Sequence, residues 1–275
     1  MTRYRPLLTQ AGLAPTHPVV ALDEYGHSRS IEIAGERPLT LYLDRREIVT
    51  LMTLGSQPEA LAIGYLRNQY FIEALAEIKA VQVDWETQAV AVTSHSGAAG
   101  AASRLDKRTV TTGCGQGTVF GELMDRLDRI RLPRRRFRQS VLYTLLAKVA
   151  AGNAVYRQAG AVHGCALCQG DRIVYFVEDV GRHNAVDAIA GLMWLDGVEG
   201  DDKIFYTTGR LTSEMVIKVA QMGIPLLLSR SGITGMGLEL GRRLGVTLIG
   251  RAKGKHFLVF AGAETLELDA IPPKS

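Results

Sequence analysis

From Lys203 onward the chain repeats one arrangement: a short apolar run, a glycine-bearing connection, and a helical segment closed by glycine. Lys203 to Thr207 reads as a strand. Gly209-Arg210 leads to Thr212-Ser213-Glu214, a helix start, and that helix ends at Gly223 ahead of Pro225. Leu226 to Ser229 is a second apolar strand. Ser231-Gly232 leads to a helix over Gly235 to Leu244, closed by Gly245, and Val246 to Gly250 is a third strand. Strands alternating with helices of about ten residues give an α/β layer with parallel pairing. In such layers the strand ends where helices begin gather free N–H groups and the positive end of the helix dipole, which suits anionic ligands. Neither Gly209-Arg210 nor Ser231-Gly232 matches a dinucleotide or Walker fingerprint.

The preceding residues extend this layer. Gln139 to Ala151 is a helix with Val141, Leu142, Leu145, Leu146 and Val149 on one face. Ala161 to Cys168 and Arg172 to Glu178 are apolar strands joined by Gln169-Gly170-Asp171, and Asn184 to Leu195 is a helix. After the third strand, Lys253-Gly254-Lys255 turns into a last one, Phe257 to Phe260. The N-terminal half is richer in strands. Ser30 to Asp44 reads as a hairpin that turns at Ala34-Gly35-Glu36-Arg37-Pro38 and returns through Leu39, Leu41 and Leu43. Ser56 caps a helix with Pro58 in its first turn, and strands follow at Ile78 to Trp85 and Ala89 to Val92. Pro133 and an arginine run mark a junction between an N-terminal strand-rich lobe, 1–133, and a C-terminal α/β lobe, 134–275.

Composition narrows the setting. The 275 residues are 47% hydrophobic and 22% charged, an ordinary globular balance. No run is long and apolar enough to span a bilayer, and residues 1–10 lack a secretory signal pattern. Three cysteines, an odd count, argue against a disulfide framework and for a reducing cytoplasm. The net charge of +4 is concentrated in Arg126, Arg129, Arg131, Arg134, Arg135, Arg136 and Arg138. This run is a solvated linker or a site for an anionic partner; no base-stacking pattern accompanies it, which speaks against nucleic acid.

One cysteine stands apart. Thr111-Thr112-Gly113-Cys114-Gly115-Gln116-Gly117-Thr118 surrounds Cys114 with glycines, which remove side-chain bulk and let the backbone present sulfur at a loop tip. Cys165 and Cys168 have redox or metal spacing but sit inside an apolar strand, where positions three apart face opposite ways. Core cysteines are the expectation there.

Several segments together resemble the formate dehydrogenase accessory sulfurtransferase (FdhD) family. They are Glu178-Asp179-Val180-Gly181-Arg182-His183-Asn184-Ala185-Val186-Asp187, Thr208-Gly209-Arg210 with Ser213-Glu214-Met215-Val216, Gly223-Ile224-Pro225 with Ser229-Arg230-Ser231, and Thr247-Leu248-Ile249-Gly250-Arg251-Ala252-Lys253-Gly254. Gly160-Ala161-Val162-His163 is similar to the family's strand entry, and Gly113-Cys114-Gly115 falls at its cysteine loop. The resemblance implies a cytoplasmic homodimer that takes sulfur from a cysteine desulfurase as a persulfide on Cys114. It delivers that sulfur to the molybdenum of Mo-bis(molybdopterin guanine dinucleotide), bound as substrate, before the cofactor enters formate dehydrogenase. A guanine nucleotide can stand in for the cofactor, and no metal of the protein's own is needed. The implied fold is a larger C-terminal cytidine-deaminase-like α/β/α lobe with a smaller, mainly β N-terminal lobe. The implied cofactor contacts are Arg251, Ala252, Lys253, Gly254, Lys255 and His256, the loops at Gly209, Arg210 and Ser231, and Arg182 with His183, oriented by Asp179.

The chain departs from the family in its cysteine loop. The family commonly has Cys-x-x-Cys, and here the second position is Gly117, so the loop offers one sulfur atom. Arg251 and Lys253 stand where the family usually has Phe and Arg. Two other readings fit the same residues: a cofactor chaperone without transfer chemistry, suggested by Gly117, and a zinc deaminase-like enzyme, suggested by His163, Cys165 and Cys168.

Overall fold

The computed structural model describes residues 4–97, 127 and 129–272. Cys114 and its loop lie outside the described residues. The chain forms two compact units, neither of them one continuous stretch. The first takes Met1–Asp106, Asn153–Gly164 and Glu178–Asp196; the second takes Lys107–Gly152, Cys165–Val177 and Gly197–Ser275. No helix among the described residues is long and apolar enough to cross a membrane.

In the first unit, β1 (Leu7–Leu8), β4 (Arg37–Leu43), β5 (Arg46–Thr53), β6 (Ile78–Asp84) and β7 (Ala89–Ser94) form a sheet of order β1-β6-β7-β4-β5. Leu39, Leu41 and Leu43 on β4 are buried, as a strand with neighbours on both sides requires. The expected hairpin from Ser30 to Asp44 does not form. Instead β3 (Ser28–Ala34) pairs antiparallel with β2 (Thr16–Leu22) in a separate two-stranded sheet. Local chemistry decides this: the Asp23 carboxylate accepts from the Tyr25 and His27 amides at 3.0 and 2.9 Å and from Arg29 Nε at 2.8 Å, closing the turn before β3. Alternation alone could not separate the exposed Ile31 and Ile33 from the buried leucines of β4.

The helix after β5, α1, runs from Pro58 to Asn68. Its N-cap position is Gln57, not Ser56, and no side chain caps it. Every residue of α1 except Arg67 is buried, so it has no polar face. Its main partner is α4 (Arg182–Asp196), while the small helix α3 (Ala154–Ala159) lies against β3. The crossing of α1 and α4 is set by glycine. A Cβ on Gly64 would lie 1.7 Å from the Asp187 carbonyl oxygen, and one on Gly191 would lie 1.9 Å from that of Ala60. Arg67 reaches across the same contact, donating to the Ala190 carbonyl at 3.2 Å and stacking 5.0 Å from the Trp194 ring centroid.

The decapeptide from Glu178 to Asp187 gathers this unit through its carboxylates. Glu178 accepts from the Val155 and Tyr156 amides, both at 2.9 Å, at the start of α3. Asp179 accepts from Thr53 Oγ1 at 2.5 Å, the Leu54 amide at 3.2 Å, the Gly181 amide at 3.1 Å and Asn184 Nδ2 at 2.9 Å. Asp187 accepts from Asn68 Nδ2 at 2.7 Å. Burial outweighs the donors and pushes the Asp179 carboxyl above the usual carboxylate range. Its partners are Thr53, Leu54, Gly181 and Asn184, so it ties β5 to the start of α4 and does not orient Arg182 or His183.

The second unit carries a six-stranded sheet of order β10-β9-β11-β12-β13-β14. Its strands are β9 (His163–Gln169), β10 (Arg172–Asp179), β11 (Lys203–Thr207), β12 (Leu226–Ser229), β13 (Thr247–Lys253) and β14 (His256–Ala261). β11, β12 and β13 are parallel, and β9 and β14 run antiparallel to their inner neighbours. One face packs on α2 (Gln139–Gly152): Leu142, Leu145, Leu146 and Val149 meet Ala166, Cys168, Ile204, Tyr206, Leu226, Leu228 and Ile249. The crossover helices α5 (Ser213–Gln221) and α6 (Gly235–Leu244) take the other face, as two consecutive right-handed crossovers require. Gly241 of α6 sits against Leu248 closely enough that a Cβ there would lie 2.2 Å from its side chain. The strands and helices read from sequence between 203 and 244 appear with nearly the same boundaries.

The α1–α4 crossing yields a direct test. Gly191→Ala places a methyl against backbone, which no rotamer change relieves, and should cost about 3 kcal/mol in urea unfolding. An exposed control, Gly26→Ala, meets open space but has a positive φ of 79°, and should cost only about 1 kcal/mol.

Candidate functional site

The parallel strands β11, β12 and β13 end at one edge of the second unit's sheet, and residues singled out in the sequence collect there. Thr208-Gly209-Arg210-Leu211-Thr212 joins β11 to α5, and Arg230-Ser231-Gly232-Ile233-Thr234 joins β12 to α6. The two loops are bound to each other. Leu211 and Ile233 form a parallel bridge, the Leu211 amide donates to the Gly232 carbonyl at 2.9 Å, and the Thr234 amide donates to the Leu211 carbonyl at 3.1 Å. The third strand joins them, its Arg251 amide donating to the Ser231 carbonyl at 2.8 Å.

Beneath the loops lies a buried polar row. Cys165, Thr207 and Ser229 are neighbours across β9, β11 and β12, and all have 0% exposure. Cys165 Sγ donates to Thr207 Oγ1 at 3.3 Å, and the Gly209 amide donates to the same oxygen at 3.0 Å. Ser229 Oγ donates to the Gly209 carbonyl at 2.6 Å and accepts from the Ser231 amide at 2.8 Å. Each loop is therefore fixed by a hydroxyl on the last residue of its own strand, and Ser229 fixes both. Buried groups of this kind are costly to leave unpaired, so the row specifies one loop arrangement.

Arg210, Arg230 and Arg251 stand exposed around this edge. Arg251 adopts φ 53°, unusual for a residue with a side chain, where the β13–β14 register shifts between Gly250 and Lys253. A Cβ on Gly250 would lie 2.9 Å from the Phe260 ring and 3.1 Å from the Ser231 carbonyl oxygen, so glycine is required just before the shift. The N-termini of α5 and α6 open at the same edge. Thr234 caps α6, accepting from the Gly237 amide at 3.2 Å, while Thr212 makes no capping bond at α5. Three guanidiniums and two helix N-termini form a setting for a phosphate-bearing ligand.

The other residues named from sequence fall as follows. Ala252 is 1% exposed and belongs to the core facing α2, so its side chain is not available to a ligand. Lys253, Gly254, Lys255 and His256 form the exposed β13–β14 turn, with Gly254 at φ 59°. Arg182 and His183 lie in the first turn of α4, in the other unit, and are half-buried. Cys165 and Cys168 are both fully buried on opposite faces of β9, and burial pushes the Cys168 thiol up to about 12. Among the described residues no group of three or more His, Cys, Asp or Glu could hold a metal ion. Thr207 went unremarked in the sequence. Its only signal was a hydroxyl closing an apolar strand run, a feature it shares with Ser229.

A model described as the FdhD/NarQ family matches residues 34–267. The chain is 28% identical to the sulfur carrier protein FdhD of Listeria monocytogenes, over 91% of this chain and 98% of that one. It is 28% identical to the protein of the same name from Bacillus subtilis, over 88% and 94%. Among solved structures, a protein described as a formate dehydrogenase accessory protein from Desulfotalea psychrophila superposes with a TM-score of 0.73 at 27% identity, covering 92% of this chain and 98% of that one.

Ser229→Ala strands the Ser231 amide and removes a donor from the Gly209 carbonyl. It should lower stability by about 1–3 kcal/mol in denaturant unfolding. Ser229→Thr, which keeps the hydroxyl, should recover part of that loss.

Proposed function

Because the chain belongs to the FdhD/NarQ family, we propose that it is a sulfur carrier for a molybdenum enzyme. It receives sulfur from a cysteine desulfurase on Cys114 and passes it to the molybdenum of the bis(molybdopterin guanine dinucleotide) cofactor destined for formate dehydrogenase. In this reading the protein works in the cytoplasm as a homodimer. The observation that carries the cofactor half is the locked edge at Gly209, Ser231 and Arg251. It presents two helix N-termini and the guanidiniums of Arg210, Arg230 and Arg251 within one unit. The guanine dinucleotide arms carry pyrophosphate, which this chemistry suits. Lys253, Lys255 and His256, on the adjoining turn, add further positive or donor groups for the same arms.

The loading step is an exchange at sulfur. The Cys114 thiolate attacks the outer sulfur of the donor's persulfide, the donor's S–S bond breaks, the donor cysteine leaves as a thiolate, and a new S–S bond forms on Cys114. No net oxidation or reduction occurs in this step. Gly117 means that the sulfur is not passed to a second cysteine in the loop. Cys165 and Cys168 are poor substitutes, since both are fully buried and Cys165 is engaged with Thr207.

Two variants separate the halves of the proposal. Cys114→Ala should abolish activation of apo-formate dehydrogenase while leaving guanosine diphosphate affinity unchanged. Arg251→Ala should weaken guanosine diphosphate binding roughly tenfold by calorimetry while leaving sulfur loading intact. Activation that survives Cys114→Ala would instead favour a cofactor chaperone with no transfer chemistry.

A further inference from the structure

The arginine run at the junction has no part in the edge just described, and Arg134 and Arg135 from its middle line a cavity. This cavity, about 360 Å³ and so in the size range of small-ligand sites, lies at the reverse edge of the same sheet. Its wall includes Pro225 and Thr247, where β12 and β13 begin, and the last turn of α6 at Gly241, Arg242 and Gly245. The length of a strand therefore separates it from Arg230 and Ser231, which follow the end of β12. The segment 132–135 closes it from the side.

The charges around it are unevenly matched. Arg135 is held by Asp201, its Nη2 donating to the carboxylate at 2.5 Å. Arg138 pairs with Glu267 at 3.5 Å and with Asp269 at 3.9 Å, beside the short pairing of β8 (Phe137–Arg138) with β15 (Leu266–Glu267). Among the described residues, Arg134 and Arg242 have no ion pair, and both are exposed and line the cavity. Among the described residues of the lining, Glu264 is the one carboxylate.

We propose that this cavity is a carboxylate-binding site, taking an organic carboxylate with an apolar body between the Arg134 and Arg242 guanidiniums. The alternative anion, phosphate, is disfavoured by the surroundings. The cavity meets the C-terminal, negative end of α6 rather than a helix N-terminus, and Glu264 opposes a dianion. A planar monoanion suits guanidinium forks. Leu132, Pro133, Pro225 and Val246 supply the apolar walls. The carboxylate comes either from a free small molecule or from an acidic side chain on a peptide segment of a partner protein. The site is independent of the sulfur-carrier reading.

Calorimetric titration of the full chain tests this with three probes: hexanoate, the capped peptide acetyl-Leu-Glu-Leu-amide, and inorganic phosphate. The expected result is binding of at least one carboxylate probe more tightly than phosphate. Binding of the peptide alone assigns the carboxylate to a protein segment, and binding of hexanoate as well assigns it to a free molecule. The double variant Arg134→Gln/Arg242→Gln should lose at least roughly tenfold in affinity. Glu264→Gln should gain several-fold, while guanosine diphosphate binding and the thermal midpoint stay unchanged in both. No binding of either carboxylate, phosphate binding as tightly as they do, or a double variant that still binds at full affinity would overturn the proposal.

Discussion

Ser229 Oγ makes two bonds that the arrangement of the candidate site depends on. Its donation to Gly209 and its acceptance from Ser231 join two loops that enter from different strands. Parallel β-strands with helical crossovers deliver such loops to one edge, but topology alone leaves them free to move apart. The hydroxyls of Thr207 and Ser229, fully buried at the last residue of each strand, remove that freedom. Arg251 then attaches through its amide, and its left-handed backbone turns the chain at the register shift. Loops held in this way lose less entropy on binding a ligand than loops free to move.

The first unit solves a different problem by related means. It must hold together segments from distant parts of the chain, and the carboxylates of Glu178, Asp179 and Asp187 each secure a different one. Breaking one partner of such a buried cluster costs more than the bond's net contribution, because the other groups stay buried and unsatisfied. The near-contact of α1 and α4 at Gly64 and Gly191 adds a steric requirement to the electrostatic one. A motif that resembles a functional signature in sequence is, through these three carboxylates, a scaffold for the unit that contains it.

Legibility in the sequence followed the range of the forces. β11, β12 and α6 were readable almost to the residue because Gly209, Gly223, Pro225 and Gly245 punctuate them locally. The pairing of β3 was not, because alternation fixes a strand's faces and not its partner, and the partner was settled by the turn at Asp23. Ser56 looked like an N-cap by residue type, yet the helix starts one residue later without a side-chain cap. The loops at Gly209 and Ser231 were marked by glycine beside a strand end, whereas the Cys165–Thr207–Ser229 row emerges only once strand register is known. Cys165 and Cys168 followed their strand alternation into the core. Two of the five changes of unit fall within the apolar strands β9 and β10, where composition gives no sign of a boundary.

The central claim is that one cysteine in a glycine loop carries the sulfur. Peptide-resolved mass spectrometry of the protein after incubation with a cysteine desulfurase and cysteine tests it most directly. The account predicts a gain of one sulfur atom on the peptide holding Cys114 and no gain on the peptide holding Cys165 and Cys168. Sulfur on the latter peptide, with Cys114 unmodified, would contradict it.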